Sequence, residues 1–283
     1  MNDVMRILTN RASLRSFSDE PVTDEELEQV LAASIHGASG GNLQPFSIIT
    51  VRNRDTSSWL GEKCEQEFIG KAPVNLIYCI DLKRIADWCR LEAAPFSADR
   101  SFPHFWISFQ DTVIAAQNGC VAADSLGLGT VYIGTIIEFW DQCREKFSLP
   151  QGVIPVVLVC LGHPAVAGHP SPSPKLPMSL VVHSEKYREP TEEELLKGMR
   201  SKYRFEGQKN PDKEALRTVE NACLVSGGPE LAERFRRNVE VTGMINIPQF
   251  IFGLHYSAAE RHLSNEDYIE AIKRAGLDFF SCH

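Results

Sequence analysis

Four short apolar runs most constrain what this chain can fold into. They read PFSIITVRN, APVNLIYCID, GTVYIG and GVIPVVLVCLG, and they occupy residues 45–53, 72–81, 129–134 and 152–162. None of these runs reaches the length of a transmembrane helix. Their β-branched residues and their Gly, Pro and Asn boundaries are typical of buried strands. The sequence therefore predicts a central β-sheet.

Helical segments lie between these strands but do not alternate with them one for one. Residues 23–35 begin with a capping box, formed by Thr23 and Glu26, and continue with helical periodicity. Residues 109–127 have a helical period that ends at a glycine, and residues 136–147 form an amphipathic pattern. Because a strict β-α-β-α rhythm is absent, we predict an α+β fold with a central sheet flanked by helices.

The second half of the chain opens with a stretch rich in proline, serine and glycine, HPAVAGHPSPSPKLP at 163–177. Such a stretch is either a linker or an extended arm across a partner. Several helical patterns follow, and GQKNPDK at 207–213 is the best candidate for a boundary. We expect one domain over residues 1–205, with an extended arm at 163–190, and a helical C-terminal extension over 206–283.

Charge and cysteine content narrow the classes of partner. A net charge of −8 argues against nucleic acid or an anionic membrane as the main partner. The opening residues MNDVMRILTN lack the long apolar stretch of a signal peptide. The eight cysteines include no CxxC pair, which favours free thiols over zinc or iron–sulfur ligands. We therefore expect a cytoplasmic protein with no bound metal, nucleic acid or membrane.

The segment RASLRSF at 11–17 is the first candidate for a ligand site. Arg11, Ser13 and Arg15 could lie together on one turn, and guanidinium and hydroxyl groups are suited to binding a phosphate. The alternative interpretation is a solvated turn before the first long helix.

The segment ASGGNLQPF at 38–46 is the second candidate. Its glycines would let the backbone approach a flat ligand, while Asn42 and Gln44 could bind the polar edge of that ligand. The alternative is a simple turn from helix to strand, which needs only one glycine.

The segment SLGLGTVYIGT at 125–135 is the third candidate. It lacks the GxGxxG pattern between strand and helix that a dinucleotide-binding fold requires, and it has no phosphate-loop lysine. Its alternative interpretation is a helix end followed by a buried strand.

The fourth candidate is PSPKLP at 172–177. Its lysine stands in a backbone that the flanking prolines keep extended, so it could reach a phosphate from a fixed position. The alternative is an exposed lysine in a linker.

Taken in order, these four segments resemble the nitroreductase family of flavin enzymes. RASLRSFSDEPVTDEELEQVLAA resembles the family's R-x-S-x-R-x-F opening and capped helix, and ASGGNLQPFSIITV resembles its second flavin segment. DTVIAAQNGCVAADSLGLGTVYIG resembles its central helix and glycine-rich loop. PSPKLPMSLVVHSEKYR is similar to the NADPH-dependent, oxygen-insensitive branch, where a basic residue precedes Leu-Pro. The resemblance covers residues 3–205 and rests on the ordered set.

The resemblance implies a homodimer with a mostly antiparallel central sheet and one FMN in each of two sites at the subunit interface. Arg11 and Ser13 would hold the FMN phosphate, and Lys175 would reach it from the arm. Arg15 would lie near the pyrimidine edge of the flavin, where a positive charge favours the anionic reduced form.

The resemblance also implies contacts with the flavin ring. The residues expected to line the ring, which the partner subunit contributes in this family, are Ser39, Gly40, Gly41 and Asn42. Tyr132, Ile133 and Gly134 would cover one face of the flavin and offer backbone N–H groups. Gln66 is a further expected contact with the ring or the ribitol.

Two basic residues beyond the arm, Lys202 and Arg204, are the expected contacts for NADPH or NADH. The sequence departs from the family pattern at three positions. Ala12 and Ser173 stand where the branch can carry further basic residues, and Thr135 stands where a second glycine is common. These departures predict fewer contacts with the FMN phosphate and weaker FMN binding.

The implied activity is a ping-pong transfer of hydride from NAD(P)H through FMN to a small-molecule acceptor, such as a nitroaromatic, a quinone or free flavin. Two alternatives stay open from the sequence. One is a specialised flavoenzyme of the same fold, which carries out reductive dehalogenation, flavin fragmentation or dehydrogenation. The other is a non-catalytic FMN-binding sensor or scaffold.

Overall fold

The computed structural model describes residues 1–166, 170–203, 205–256 and 263–280. The chain divides into two compact units, of which the first comprises Met1–Pro172 and Asn265–His283 and the second Ser173–Ser264. Arg204 lies outside the described residues.

The main sheet belongs to the first unit. Its strands are β1 (Phe46–Val51), β2 (Val74–Asp81), β3 (Gly129–Ile133) and β4 (Val153–Gly162). Their order is β1-β2-β4-β3, and each neighbouring pair is antiparallel. These are the four apolar runs of the sequence, so the predicted central sheet is confirmed.

The helices of both units are numbered together in chain order. They are α1 (Asp3–Asn10), α2 (Asp24–Ile35), α3 (Arg54–Lys63), α4 (Glu67–Lys71), α5 (Lys83–Leu91), α6 (Phe102–Ser125), α7 (Trp140–Lys146), α8 (Glu192–Ser201), α9 (Lys213–Thr242), α10 (Ile247–Phe250) and α11 (Asn265–Arg274). The capping box of α2 is present as predicted: Glu26 N donates to Thr23 Oγ1 at 3.1 Å, and Thr23 N donates to Glu26 Oε2 at 2.8 Å.

The core of the first unit lies on both faces of the sheet. In β2, Leu76, Tyr78 and Ile80 point to one face, and Ile77 and Cys79 point to the other, and all are buried. Residues of α2, α6 and α11 pack on the first face, whereas residues of α3, α4 and α7 pack on the second. A strand covered on both faces buries every side chain, which explains its continuous apolar sequence.

The last helix returns to the core of the first unit. In and after α11, Ile272, Ala275 and Leu277 are buried in the sheet core. Outside that core, Arg274 forms an ion pair with Asp141 at 2.6 Å. The predicted boundary between residues 205 and 206, as a division between folding domains, stays a prediction.

The second unit is mostly helical. It contains α8, α9 and α10 and a short hairpin of β5 (Gly207–Lys209) with β6 (Met244–Asn246). Its core includes Val219 and Phe235 of α9 and Ile245 of β6. The helix α9 is kinked at Gly228, where φ is 70°, immediately before Pro229.

Among the helices that the structure describes, none combines the length and the apolar character that a bilayer span requires.

Candidate functional site

The RASLRSF segment lies along the edge of the main sheet, beside β3. Ser13 forms a parallel bridge with Thr130, and Leu14 N donates to the Thr130 carbonyl at 2.9 Å. Ala12 and Leu14 are buried, whereas Ser13 is half-buried and Arg15 is exposed. This alternation is the pattern of a strand with one covered face, so the segment is fixed by backbone hydrogen bonds.

The close fit of this segment depends on Gly129, at the start of β3. A Cβ atom at that position would lie 2.7 Å from Leu14 Cβ and closer still to the end of the Leu14 side chain. Glycine therefore allows the Leu14 side chain to pack directly on the strand backbone. The sequence pattern drew attention to this glycine, but its partner is visible only in the structure.

Arg11 is half-buried, and part of its guanidinium group lacks hydrogen bonds. Its Cζ lies 5.7 Å from the centroid of the Tyr132 ring. Its Nε and Nη2 are buried and have no hydrogen-bond partner within the described ranges. Buried charged donors without acceptors are costly, so this arrangement suits an anion that accepts from both nitrogens.

Tyr132 is held mainly by the first unit's core. Burial raises the pKa of the Tyr132 hydroxyl, which therefore stays protonated at neutral pH. That hydroxyl donates to Gln117 Oε1 at 3.4 Å. One face of the ring thus remains the neighbour of Arg11, and the structure brings these two predicted site residues together.

The end of β3 meets the predicted residue Gln66. Its Nε2 donates to Thr135 Oγ1 at 3.4 Å and to the Cys64 carbonyl at 3.3 Å. Ile133 is buried, whereas Gly134 is exposed and would have open space around an added Cβ. Thr135, a departure from the family pattern, therefore links Gln66 to the glycine-containing turn.

The second glycine segment forms a tight turn in which three residues have backbone dihedral angles in the left-handed region. The φ angles are 57° at Gly41, 55° at Asn42 and 48° at Gln44. Ser39 Oγ accepts from Gln44 N at 3.3 Å, and Gln44 Nε2 donates to the Ile35 carbonyl at 2.8 Å. We call residues 39–42 the SGGN loop.

The SGGN loop is attached to α6 by Asp111, which the sequence reasoning missed. Gly40 N donates to the Asp111 carboxylate, at 3.2 Å from Oδ1 and 3.1 Å from Oδ2. Asp111 is only 4% exposed, and burial raises the pKa of its carboxyl group. An acidic residue near the middle of a helical run with few charges was the sequence signal that could have identified it.

The predicted flavin contacts in the first unit form two separate groups. One group surrounds β3 and contains Arg11, Ser13, Gln66 and the segment 132–134. The other is the SGGN loop. Within the described part of the chain, no hydrogen bond or ion pair joins the SGGN loop to the group around β3.

Two of the predicted cationic residues of the second unit, Lys175 and Lys202, line one cavity. This cavity has a volume of about 800 Å³, and Lys175, Lys202, Tyr203 and Phe205 contribute to its wall. The Lys202 Nζ lies 5.0 Å from the centroid of the Tyr203 ring, and Lys175 is exposed. Two ammonium groups beside aromatic rings are suited to a ligand with a phosphate and a planar ring.

Comparisons with known proteins agree with these motifs. The sequence model of the nitroreductase family matches residues 8–163. An oxygen-insensitive NADPH nitroreductase of Salmonella typhimurium is 34% identical over 69% of this chain and 79% of its own length. An FMN reductase [NAD(P)H] of Bacillus subtilis is 33% identical over 66% of this chain and 75% of its own.

A solved structure extends the similarity to the whole chain. The NfrA2 structure of B. megaterium superimposes with a TM-score of 0.74 at 26% identity, and the match covers 99% of this chain and 100% of that one. Its extent includes the helical second unit, for which the sequence offered no parallel. The fold class and the family predicted from the motifs are both confirmed, and the chain belongs to the nitroreductase family.

Proposed function

We propose that this protein is an FMN-dependent NAD(P)H oxidoreductase that reduces a small-molecule acceptor in a ping-pong cycle. The two relatives described as a nitroreductase and an FMN reductase support this class of reaction. The observation that carries the proposal is the Arg11 guanidinium, whose buried Nε and Nη2 lack a partner within the described residues. Bound FMN would supply the redox centre that accepts hydride from the nicotinamide and passes it to the acceptor.

The phosphate of FMN fits the residues around β3. Arg11 would donate from Nε and Nη2, and Ser13, on the same side of the segment, would donate from its hydroxyl. Because the segment is fixed by its backbone bonds to Thr130, the backbone beside Arg11 needs no rearrangement before the anion binds. Lys175 is the proposed third contact, and its support is its sequence position between prolines.

The ring of FMN would be held by backbone and amide groups. Gly134 offers an exposed backbone beside Gln66, which its bond to Thr135 keeps in place. The exposed Arg15 is the proposed neighbour of the pyrimidine edge, where its positive charge would stabilise negative charge on the reduced flavin. The SGGN loop is the proposed contribution of a partner subunit.

Exposed apolar side chains on two neighbouring helices support the proposed homodimer. The exposed large apolar residues of α1 and α6 are Val4, Met5, Leu8, Phe102, Trp106, Ile107, Phe109 and Ile114. A patch of this kind on a soluble enzyme is typical of an interface. Sedimentation analysis tests this directly: we expect a dimer, and a Trp106→Glu variant should shift it toward the monomer.

The electron donor and the cellular location follow from weaker observations. Lys202 is proposed to contact the nicotinamide cofactor because it lines the cavity of the second unit together with aromatic rings. Arg204 keeps the same proposed role from its sequence position. The seven described cysteines are free thiols, which supports a reducing compartment such as the cytoplasm.

The first experiment is the visible absorbance spectrum of the purified protein, followed by anaerobic addition of NADPH. We expect a flavin spectrum that NADPH bleaches and that an added quinone or nitroaromatic restores. An Arg11→Met variant should retain less FMN through purification. A bound flavin that neither NADPH nor NADH reduces would contradict the oxidoreductase and favour a sensor.

A further inference from the structure

The attachment of the SGGN loop to α6 involves one side of that helix. Ile107, Asp111 and Ala115 are four residues apart and therefore share a stripe along α6. An added Cβ on Gly37 would lie 3.2 Å from Ala115 Cα, and one on Gly40 would lie 2.9 Å from Ile107 Cγ2. The backbone of residues 37–40 thus lies directly on this stripe, with the Asp111 carboxylate at its middle.

Asp111 is an unusual residue for this position if its role is only to stabilise the fold. Its carboxylate is buried, and its hydrogen-bond donor within the described chain is the Gly40 N–H. Burying a carboxylate against a single backbone N–H contributes little to stability, because the loss of hydration offsets the bond. A neutral acceptor or an apolar side chain would be tolerated equally well in a helix that served the core alone.

The bond to Asp111 also determines which groups the loop can present. The N–H groups of Asn42 and Leu43 donate within the turn, to the carbonyls of Ser39 and Gly40 at 3.1 Å. With Gly40 N–H fixed to α6, the Gly41 N–H and the exposed Asn42 side chain remain for a ligand. The orientation of both depends on the peptide plane that Asp111 holds.

We propose that Asp111 is a positioning residue that fixes the SGGN loop on α6 and thereby sets the fit of the loop to the flavin ring. This inference rests on the proposed function, because the ring is the ligand that the loop would contact. Asp111 itself touches neither the ring nor the acceptor. Its effect on binding is transmitted through the Gly40 peptide.

The test compares Asp111→Ala with Asp111→Asn in the full chain. The FMN dissociation constant of the apoprotein is measured by quenching of flavin fluorescence, and the environment of the bound flavin is measured by visible circular dichroism. Removal of the acceptor in Asp111→Ala should weaken FMN binding about tenfold and alter the flavin dichroism. Asp111→Asn retains an amide oxygen, so its dissociation constant should stay within about threefold of wild type.

Thr112→Val is the matched control. Thr112 is the next residue of α6, is fully buried, and donates its hydroxyl to the Ser108 carbonyl of its own helix at 2.7 Å. We expect its apoprotein to be destabilised, while FMN affinity and flavin dichroism remain those of wild type. If the Asp111→Ala apoprotein does not fold, Asp111→Ser, whose hydroxyl is too short to reach Gly40, takes its place.

Three outcomes would overturn the proposal. Wild-type FMN affinity and dichroism in Asp111→Ala would show that the loop does not depend on this carboxylate. Equal weakening in Asp111→Asn would assign the effect to charge and not to position. Failure of the wild-type protein to bind FMN would remove the proposed function as well, and is distinguished by the wild-type titration alone.

Discussion

The two regions proposed to hold the flavin are built in different ways. The segment that carries Arg11 and Ser13 is attached to the edge of the main sheet by backbone hydrogen bonds and by the burial of Leu14 against Gly129. The SGGN loop lies on the surface of α6 and is hydrogen-bonded to it through the Asp111 side chain. The first region is therefore an integral part of the sheet, whereas the second is a surface loop packed on a helix.

This difference separates two effects of mutation. A change under the phosphate-binding segment must disturb the sheet edge, so it should lower stability and FMN binding together. A change in the SGGN loop should lower FMN binding with little effect on the unfolding of the sheet. Ligand-binding loops in general belong to the less stable parts of a structure.

The largest expected effect is that of Gly129→Ala. The added Cβ would lie 2.7 Å from Leu14 Cβ, so the segment or the strand must move. Overpacking of this kind costs about 3 kcal/mol of unfolding free energy. Urea denaturation of the apoprotein and an FMN titration should both report the loss.

Gly134→Ala is the control for this experiment, since an added Cβ there would meet nothing within 4 Å. We expect its urea midpoint to stay close to that of wild type. A Gly129→Ala apoprotein as stable as Gly134→Ala would contradict the close packing of Leu14.

The next largest effect is that of Arg11→Met. This variant should weaken FMN binding without lowering the stability of the apoprotein. The buried Nε and Nη2 lack partners in the described chain, so their removal should leave the apoprotein as stable as wild type or about 1 kcal/mol more stable. Loss of the charge-assisted bonds to the phosphate should weaken FMN binding by about 2 kcal/mol, or roughly 30-fold. Thermal unfolding with and without FMN measures both quantities.

Riboflavin, which lacks the phosphate, provides the matched ligand. Its affinity should be nearly equal for wild type and Arg11→Met. A similar loss for riboflavin and FMN would place Arg11 away from the phosphate.

Regions whose burial follows from local periodicity could be predicted from the sequence. The four strands and the α2 capping box carry a pattern within a few neighbouring residues, whereas the RASLRSF segment, expected on a turn, pairs with β3 instead. Asp111 carries no such local pattern, because its burial depends on residues 37–40, which are distant in sequence. A single acidic residue in a helical pattern is usually on the solvated side.

Two other features were hidden for the same reason. The helix α6 begins at Phe102, seven residues before the predicted segment 109–127. The aromatic residues at its start obscured the helical period. The return of α11 to the sheet core depends on Ile272 and Leu277, which pack against strands more than a hundred residues earlier. Local sequence patterns do not indicate contacts between segments that are this far apart in the chain.

A third prediction concerns the SGGN loop alone. Gly41 has a φ of 57° and would make only ordinary contacts through an added Cβ, at 3.7 Å from Leu43. Gly41→Ala should therefore cost about 1 kcal/mol of backbone strain. Because the loop can relax locally in the apoprotein, this strain is felt when FMN binds, so FMN affinity should fall about fivefold while the urea midpoint changes little. The measurements are the same titration and the same denaturation curve as for Gly129→Ala.

A fall in the urea midpoint comparable to that of Gly129→Ala would contradict the distinction between the two regions. It would mean that the loop is as much a part of the cooperative fold as the sheet edge.

The smallest expected effect is that of Arg15→Ala, and it contrasts an exposed arginine with the half-buried Arg11. Arg15 is exposed, so water and salt screen its charge, and apoprotein stability should not change. Removal of a positive charge near the reduced flavin should lower the midpoint potential of bound FMN by about 10 mV, equivalent to about 0.5 kcal/mol. Arg15→Lys should restore most of the potential. Redox titration at low and high salt measures the effect, which should diminish at high salt. A shift in potential that is independent of salt would mean that Arg15 acts through a direct hydrogen bond and not through its electrostatic field.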